Sequence, residues 1–250
     1  MLAIVGGSGL TQLASLTITR REVVRTPYGE PSGALTFGEV CGRPVVFLAR
    51  HGYGHTIAPH LVNYRANLWA LKHVGTTGVI SVASVGGIRA AFGPGVLIVP
   101  DQIIDYTWGR KSTYFDASDQ PVHHVDFTHP YDSALRAALI AAAAAAGEAV
   151  FDGGVYATTQ GPRLETAAEI NRLERDGADV VGMTGMPEAV LAREIELPYA
   201  AINVVANYAA GRASSEQGIS FDSIEVVLHE AMTRVRCILD QLCGDGAVRP

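Results

Sequence analysis

Three observations predict an α/β domain with a mixed or parallel sheet flanked by helices. Short apolar, β-branched runs bounded by glycine and proline recur, and their hydrophobicity is continuous rather than alternating, as in strands covered on both faces. Helical patterns separate several of these runs. Gly6, Arg50, Ser84, Thr184 and Asn207 all follow or end strand runs, and ligands of such sheets lie beyond the carboxyl ends of strands.

In chain order, the first run is Leu2–Val5, closed by the Gly6-Gly7 turn, and the second is Pro44–Ala49. A helical pattern covers Pro59–His73, and the runs Gly78–Val85 and Gly95–Val99 follow. The next helix spans Tyr131–Ala146; its Ala141–Ala146 tract is a helix interior, since alanine is the best helix former, and Gly147 stops it. Then come the run Gly154–Thr158, the helix Leu164–Asp176, the run Asp179–Met183 and the helix Met186–Ile195. The run Tyr199–Ala206 and the helix Phe221–Leu242 complete the pattern, with no internal repeat or linker.

With 250 residues, 48% of them hydrophobic, the chain can bury one large core. No apolar stretch approaches the roughly 20 residues of a membrane span, and no signal peptide is evident, so a soluble, cytoplasmic protein is expected. Cys41, Cys237 and Cys243 form no CxxC pair and read as reduced thiols. A net charge of −6, with no basic run longer than Arg20-Arg21, argues against a nucleic-acid surface. Any anion must therefore be met locally.

Gly6-Gly7-Ser8-Gly9 lets the backbone turn tightly and offer amide protons to an anion, although a plain strand-to-helix turn explains it too. A dinucleotide fingerprint would need a third glycine where Gln12 stands. Arg50, at the end of an apolar strand, is costly unless it meets an anion; a surface arginine with a capping role is the alternative. His51, His55 and His60 share no helical face and no cysteine or carboxylate cluster joins them, so no metal site is expected. His55 and His60 read as core or loop histidines with satisfied hydrogen bonds. Glu188, near a helix start, is either a capping acid or a functional one.

Three fragments carry a family resemblance: Gly161-Pro162-Arg163-Leu164-Glu165-Thr166, Gly182-Met183-Thr184-Gly185-Met186-Pro187-Glu188 and Asn203-Val204-Val205-Ala206-Asn207-Tyr208. Together with Gly6-Gly7-Ser8-Gly9-Leu10 and Arg50-His51-Gly52, they resemble the trimeric purine nucleoside phosphorylases, in particular their methylthioadenosine phosphorylase branch. The resemblance runs from Ile4 to Ile224. It implies one nucleoside phosphorylase domain over residues 1–250, with a central mixed, partly barrel-like sheet. It also implies a homotrimer, with inorganic phosphate as co-substrate and no cofactor.

Residue by residue, the resemblance implies that Ser8, Arg50, His51, Thr184 and the backbone amide of Ser84 hold phosphate. Val82 and Ala83 stand where relatives carry threonines, so some hydroxyl contacts are expected to be missing. Met183 would pack under the ribose and Leu164 would line the nucleoside site. His124 would reach the 5′ side of the sugar in a neighbouring subunit's site. Arg50→Ala is expected to weaken phosphate use while leaving the fold intact.

Glu165 and Asn207 bear on the base. A 6-oxopurine carries a proton on N1, which suits a carboxylate, and its ring acceptors suit an amide donor. The adenine-cleaving branch has serine and aspartate at these places, whereas this chain has Glu and Asn. Where inosine-cleaving relatives place a histidine for the 5′-hydroxyl, this chain has Phe221 and Ile224. The combination implies phosphorolysis of 5′-methylthioinosine and related 6-oxopurine nucleosides. A methylthioadenosine phosphorylase, a general inosine or guanosine phosphorylase, a nucleotide-dependent oxidoreductase and a non-catalytic ligand-binding protein on the same fold stay open as alternatives.

Overall fold

The computed structural model describes residues 1–10, 12–116, 118 and 121–244. Eleven strands form one sheet: β1 Leu2–Gly6, β2 Thr17–Glu22, β3 Leu35–Val40, β4 Arg43–Ala49, β5 Gly78–Gly87, β6 Leu97–Val99, β7 Gln102–Asp105, β8 Phe151–Asp152, β9 Val155–Thr158, β10 Val180–Gly182 and β11 Tyr199–Tyr208. The helices are α1 Tyr64–His73, α2 Ser133–Ala145, α3 Ala167–Arg175, α4 Gly185–Glu194 and α5 Phe221–Gly244. The main path runs β2-β3-β4-β1-β5-β10-β9-β7, and a branch from β5 continues through β11, β6 and β8.

The long, apolar β5 is the branch point. Its first residues pair with β1 through Gly78 to Ser81, its last two pair antiparallel with β10, and its other edge follows β11 from Val79 to Gly87. Between Ser81 and Gly86, β5 has neither β1 nor β10 beside it, so backbone groups on that edge are left for other partners.

Burial explains why the strand runs are continuously apolar. Leu2 and Ile4 of β1 pack with residues of α2 and α5, while Ala3 and Val5 pack with residues of α1 and α4. A pleated strand sends alternate side chains to opposite faces, and here both faces are covered. The sequence reading misses β2, β3, β7 and β8. β2 is fully exposed and polar at the sheet edge, and β8 is two exposed residues, so neither carries an apolar signature.

Three predicted helices start later than their patterns imply, the one expected from Tyr131 beginning at Ser133. Pro59–Leu61 is a separate 3₁₀ turn, and α1 begins only after Asn63, whose side chain accepts the Ala66 amide. Residues 161–166 are loop, because Thr166 and Glu169 form a reciprocal capping box that fixes the start of α3. That offset leaves Leu164 and Glu165 outside the helix.

Candidate active site

Beyond the carboxyl ends of β1, β4, β5, β10 and β11 lies a cavity of about 580 Å³. Eleven of the twelve predicted site residues line it: Ser8, Arg50, His51, Ser84, Leu164, Glu165, Met183, Thr184, Asn207, Phe221 and Ile224. His124 does not; it is exposed on a loop.

The Gly6-Gly7 turn abuts the sheet so closely that side chains would not fit. A Cβ on Gly6 would lie 2.0 Å from the Leu10 carbonyl, and one on Gly7 would lie 2.8 Å from Val82 O and 2.9 Å from Arg50 Nη1. Ser8, the next residue, lines the same cavity as Ala83 and Ser84 of the free stretch of β5.

Arg50 is fully buried, and the anion it meets is protein-borne. Its Nε and Nη2 donate to the two Glu188 oxygens at 2.7 and 2.9 Å. Nη2 also donates to Ser81 Oγ at 2.6 Å, and Nη1 donates to Val82 O, on the free stretch of β5, at 3.1 Å. Four of the five guanidinium protons are thus committed. Glu188, also wholly buried, accepts the Tyr199 hydroxyl at 2.8 Å. The capping reading of Glu188 is thereby overturned, and the buried pair makes Arg50→Ala a change expected to destabilise the fold. Removing one partner of a buried, hydrogen-bonded pair strands a charge, at about 3–5 kcal/mol.

His51 does not bring a positive charge. Its Nδ1 lies 2.7 Å from the Ile57 carbonyl, which can only accept, so Nδ1 carries the proton. Burial and the adjacent Arg50 push its pKa down to about 4, leaving a neutral ring near pH 7. His55 lines the cavity and its Nε2 stands 3.5 Å from Ser8 Oγ, a position the histidine spacing did not reveal. His60 is no satisfied loop histidine: its Nδ1 is buried with no partner among the described residues. Thr184 caps α4 without using its side chain in the cap. Val82 packs in the core and does not line the cavity, whereas Ala83 does.

Glu165, on the same cavity, accepts the Thr159 hydroxyl at 2.6 Å, and burial raises its pKa above the usual carboxylate value. Asn207 follows a bulge in β11, where the register with β5 slips between Val205 and Asn207; such bulges re-aim side chains. Asn207 Nδ2 donates to Tyr208 O at 2.6 Å, and an amide nitrogen has a second proton to give. Ile219, Phe221, Ile224 and Leu228 make an apolar wall from the start of α5 and the loop before it.

Arg110 was invisible in the sequence. From a loop it donates to the carbonyls of Met183, Met186, Thr159 and Gln160 at 2.7 to 3.2 Å. It ties the exits of β9 and β10 together, using neutral acceptors that carry no signature. Among the described residues no group of three His, Cys, Asp or Glu is placed to hold a metal ion, and no helix is long and apolar enough to cross a membrane.

Residues 1–243 match the family model described as "Phosphorylase superfamily". The chain belongs to that superfamily. It is 54% identical, over 95% of its length and 96% of the relative's, to a Pseudomonas syringae pv. tomato protein named "Probable S-methyl-5'-thioinosine phosphorylase". It is also 45% identical to the 6-oxopurine nucleoside phosphorylase of Pyrococcus furiosus, covering 95% of this chain and 90% of that one. Among solved structures, methylthioadenosine phosphorylase from Schistosoma mansoni in complex with adenine superposes with a TM-score of 0.94 at 32% identity, covering 99% and 92% of the two chains. The superfamily fold expected from the sequence is therefore the one observed.

Proposed function

We propose that this member of the phosphorylase superfamily cleaves 6-oxopurine nucleosides with inorganic phosphate, and that 5′-methylthioinosine is its preferred substrate. The products are hypoxanthine and 5-methylthioribose 1-phosphate. The observation that carries this reading is the joint placement of Glu165 and Asn207 on one cavity that Ile219, Phe221, Ile224 and Leu228 line with apolar side chains. The names of the 54% and 45% identical relatives support it.

Phosphate lies among Ser8, Arg50, His51, Thr184 and the Ser84 amide and attacks the anomeric carbon as the glycosidic bond lengthens. The sugar passes through a cationic state over Met183 while electrons flow into the purine. Asn207 donates to N7 of the departing base, a stabilisation of about 3 kcal/mol for one preorganised donor. The Glu165 carboxylate accepts a hydrogen bond from the N1–H that a 6-oxopurine has and adenine lacks. The sulfur substituent packs on Phe221 and Ile224 and gains about 1–3 kcal/mol over a hydroxyl without a partner.

In a soluble, cytoplasmic homotrimer, His124 reaches a neighbour's 5′ pocket; its exposure in the single chain leaves it available for this. The exposed apolar side chains of Leu61, Trp108 and Val122 support burial against another copy. The deciding experiment compares kcat/KM for 5′-methylthioinosine, inosine and 5′-methylthioadenosine with and without phosphate. Phosphate-dependent cleavage, fastest on methylthioinosine, is expected; a preference for inosine or for the adenine nucleoside overturns the substrate assignment.

A further inference from the structure

The ladder between β9 and β10 ends where the loops of the site begin. Thr158 pairs with Gly182, and the last rung is the Thr159 amide donating to Gly182 O at 2.8 Å. Beyond it the chains part: one runs through Met183 and Thr184 into α4, the other through Gln160 to Glu165. Strands that part leave carbonyls without ladder partners, and such groups need donors when they are shielded from water.

Arg110 supplies the donors. The Tyr106 amide still follows the sheet, donating to Thr158 O at 2.9 Å, and Gly109 then turns the chain at φ +68°. Gln160 Oε1 accepts both the Trp108 amide and Arg110 Nε at 3.2 Å, which steers the guanidinium into the fork. Nη1 donates to Met183 O at 2.8 Å and to Met186 O at 2.7 Å, the two carbonyls that flank Thr184 and Gly185 in sequence. Nη2 donates to Thr159 O and Gln160 O at 3.2 and 2.8 Å. The Thr159 hydroxyl in turn donates to Glu165 at 2.6 Å. The two segments also touch directly, since a Cβ on Gly161 would collide with the Met183 sulfur. A planar fork of five protons holds these four carbonyls at fixed spacing; a lysine ammonium, with three protons on one atom, does not.

We propose that Arg110 is a positioning residue for nucleoside cleavage: it sets the distance between the Met183–Met186 segment, which carries Thr184, and the Thr159–Gln160 segment, which orients Glu165. This rests on the phosphorolysis reading, which places the nucleophile at Thr184 and the purine at Glu165. Arg110 does not itself line the cavity and acts only through these two segments. Nucleophile and departing base must be held at once, and a misplacement of about 1 Å costs about 10²-fold in rate.

Two variants test this, Arg110→Lys keeping the charge and Arg110→Met keeping the stem. Each, assayed well below its own Tm, should lose about 10²-fold in kcat/KM. Guanidinium ion added to Arg110→Ala, at concentrations that leave the wild type unaffected, should restore part of kcat, and ammonium should not. The acid limb of kcat/KM is a readout that lost stability does not move. Burial raises the Glu165 pKa and the Thr159 hydroxyl lowers it, while the charged groups beside it, Glu169 and Arg163, pair with each other. Releasing Thr159 therefore moves the limb to higher pH in Arg110→Lys, and the limb is absent when Glu165→Gln is added. A folded Arg110→Lys or Arg110→Met with wild-type kcat/KM, or with an unmoved limb, overturns the proposal, as does a loss that follows only the unfolded fraction. Wild-type cleavage that proceeds without phosphate overturns the phosphorolysis reading alone, because Arg110 is then judged on the hydrolytic rate. A wild type that cleaves no purine nucleoside overturns both.

Discussion

Arg50 carries its charge to a place that water does not reach, so its energetics belong to a pair. Arg50→Ala should lower stability by about 3–5 kcal/mol in denaturant unfolding, because Glu188 is left charged and unpaired. The double replacement Arg50→Met with Glu188→Leu should recover most of that loss, yet use phosphate no better than the single variant. Unchanged stability in Arg50→Ala would mean that the pair is not buried as described. Glu165 permits a second test at this scale. Its carboxylate form accepts from N1, and burial raises its pKa, so activity on a 6-oxopurine nucleoside is present above that pKa and lost as pH falls through it. The acid limb of kcat/KM should therefore lie above the ordinary glutamate range, about 4.3, and be absent from the residual activity of Glu165→Gln. His51 runs by the same logic in stability: its folded pKa, about 4, lies below that of the unfolded chain. Its contribution is complete above about pH 6.5 and is lost as pH falls toward 4. His51→Gln should unfold with a shallower dependence on pH across that window.

At the scale of elements, the boundary of α3 decides where Glu165 stands. Thr166 accepts the Glu169 amide, and Glu169, also paired with Arg163, accepts the Thr166 amide. Thr166→Ala should cost about 1 kcal/mol, a fall in Tm of about 2–4 °C for a chain this long. It should also raise KM for the nucleoside, since the loop before the cap holds Leu164 and Glu165; a changed Tm with an unchanged KM would separate the cap from the site. This element also marks the limit of what the sequence discloses. The helical pattern begins at Leu164, three residues before α3 itself, whereas the local Thr166/Glu169 pair marks the true start. Strands covered on both faces, such as β1 and β11, are legible because burial selects an unbroken apolar run. The exposed β2 leaves no such trace. Ser8, Thr184, Glu165 and Asn207 could be read from short motifs at strand ends. Glu188 and Arg110 could not, because their partners lie far off in sequence and Arg110 bonds only backbone carbonyls and other neutral oxygens, which any sequence supplies.

For the whole molecule, the proposed assembly has a direct test. A homotrimer should show a mass three times the 26.4 kDa of the chain in light scattering. His124→Ala should then lower kcat/KM on the methylthio nucleoside without altering that mass. A monomeric, fully active enzyme would remove the role assigned to His124. Within one chain, the pairing of Arg50 with Glu188 also has a history in time. The two residues are 138 positions apart, and closing so long a loop is slow relative to forming local helices. A refolding chain therefore recovers its helical signal first and its ability to cleave nucleosides only after the two distant segments have met. The lag between those two signals measures how late in folding the protein becomes an enzyme.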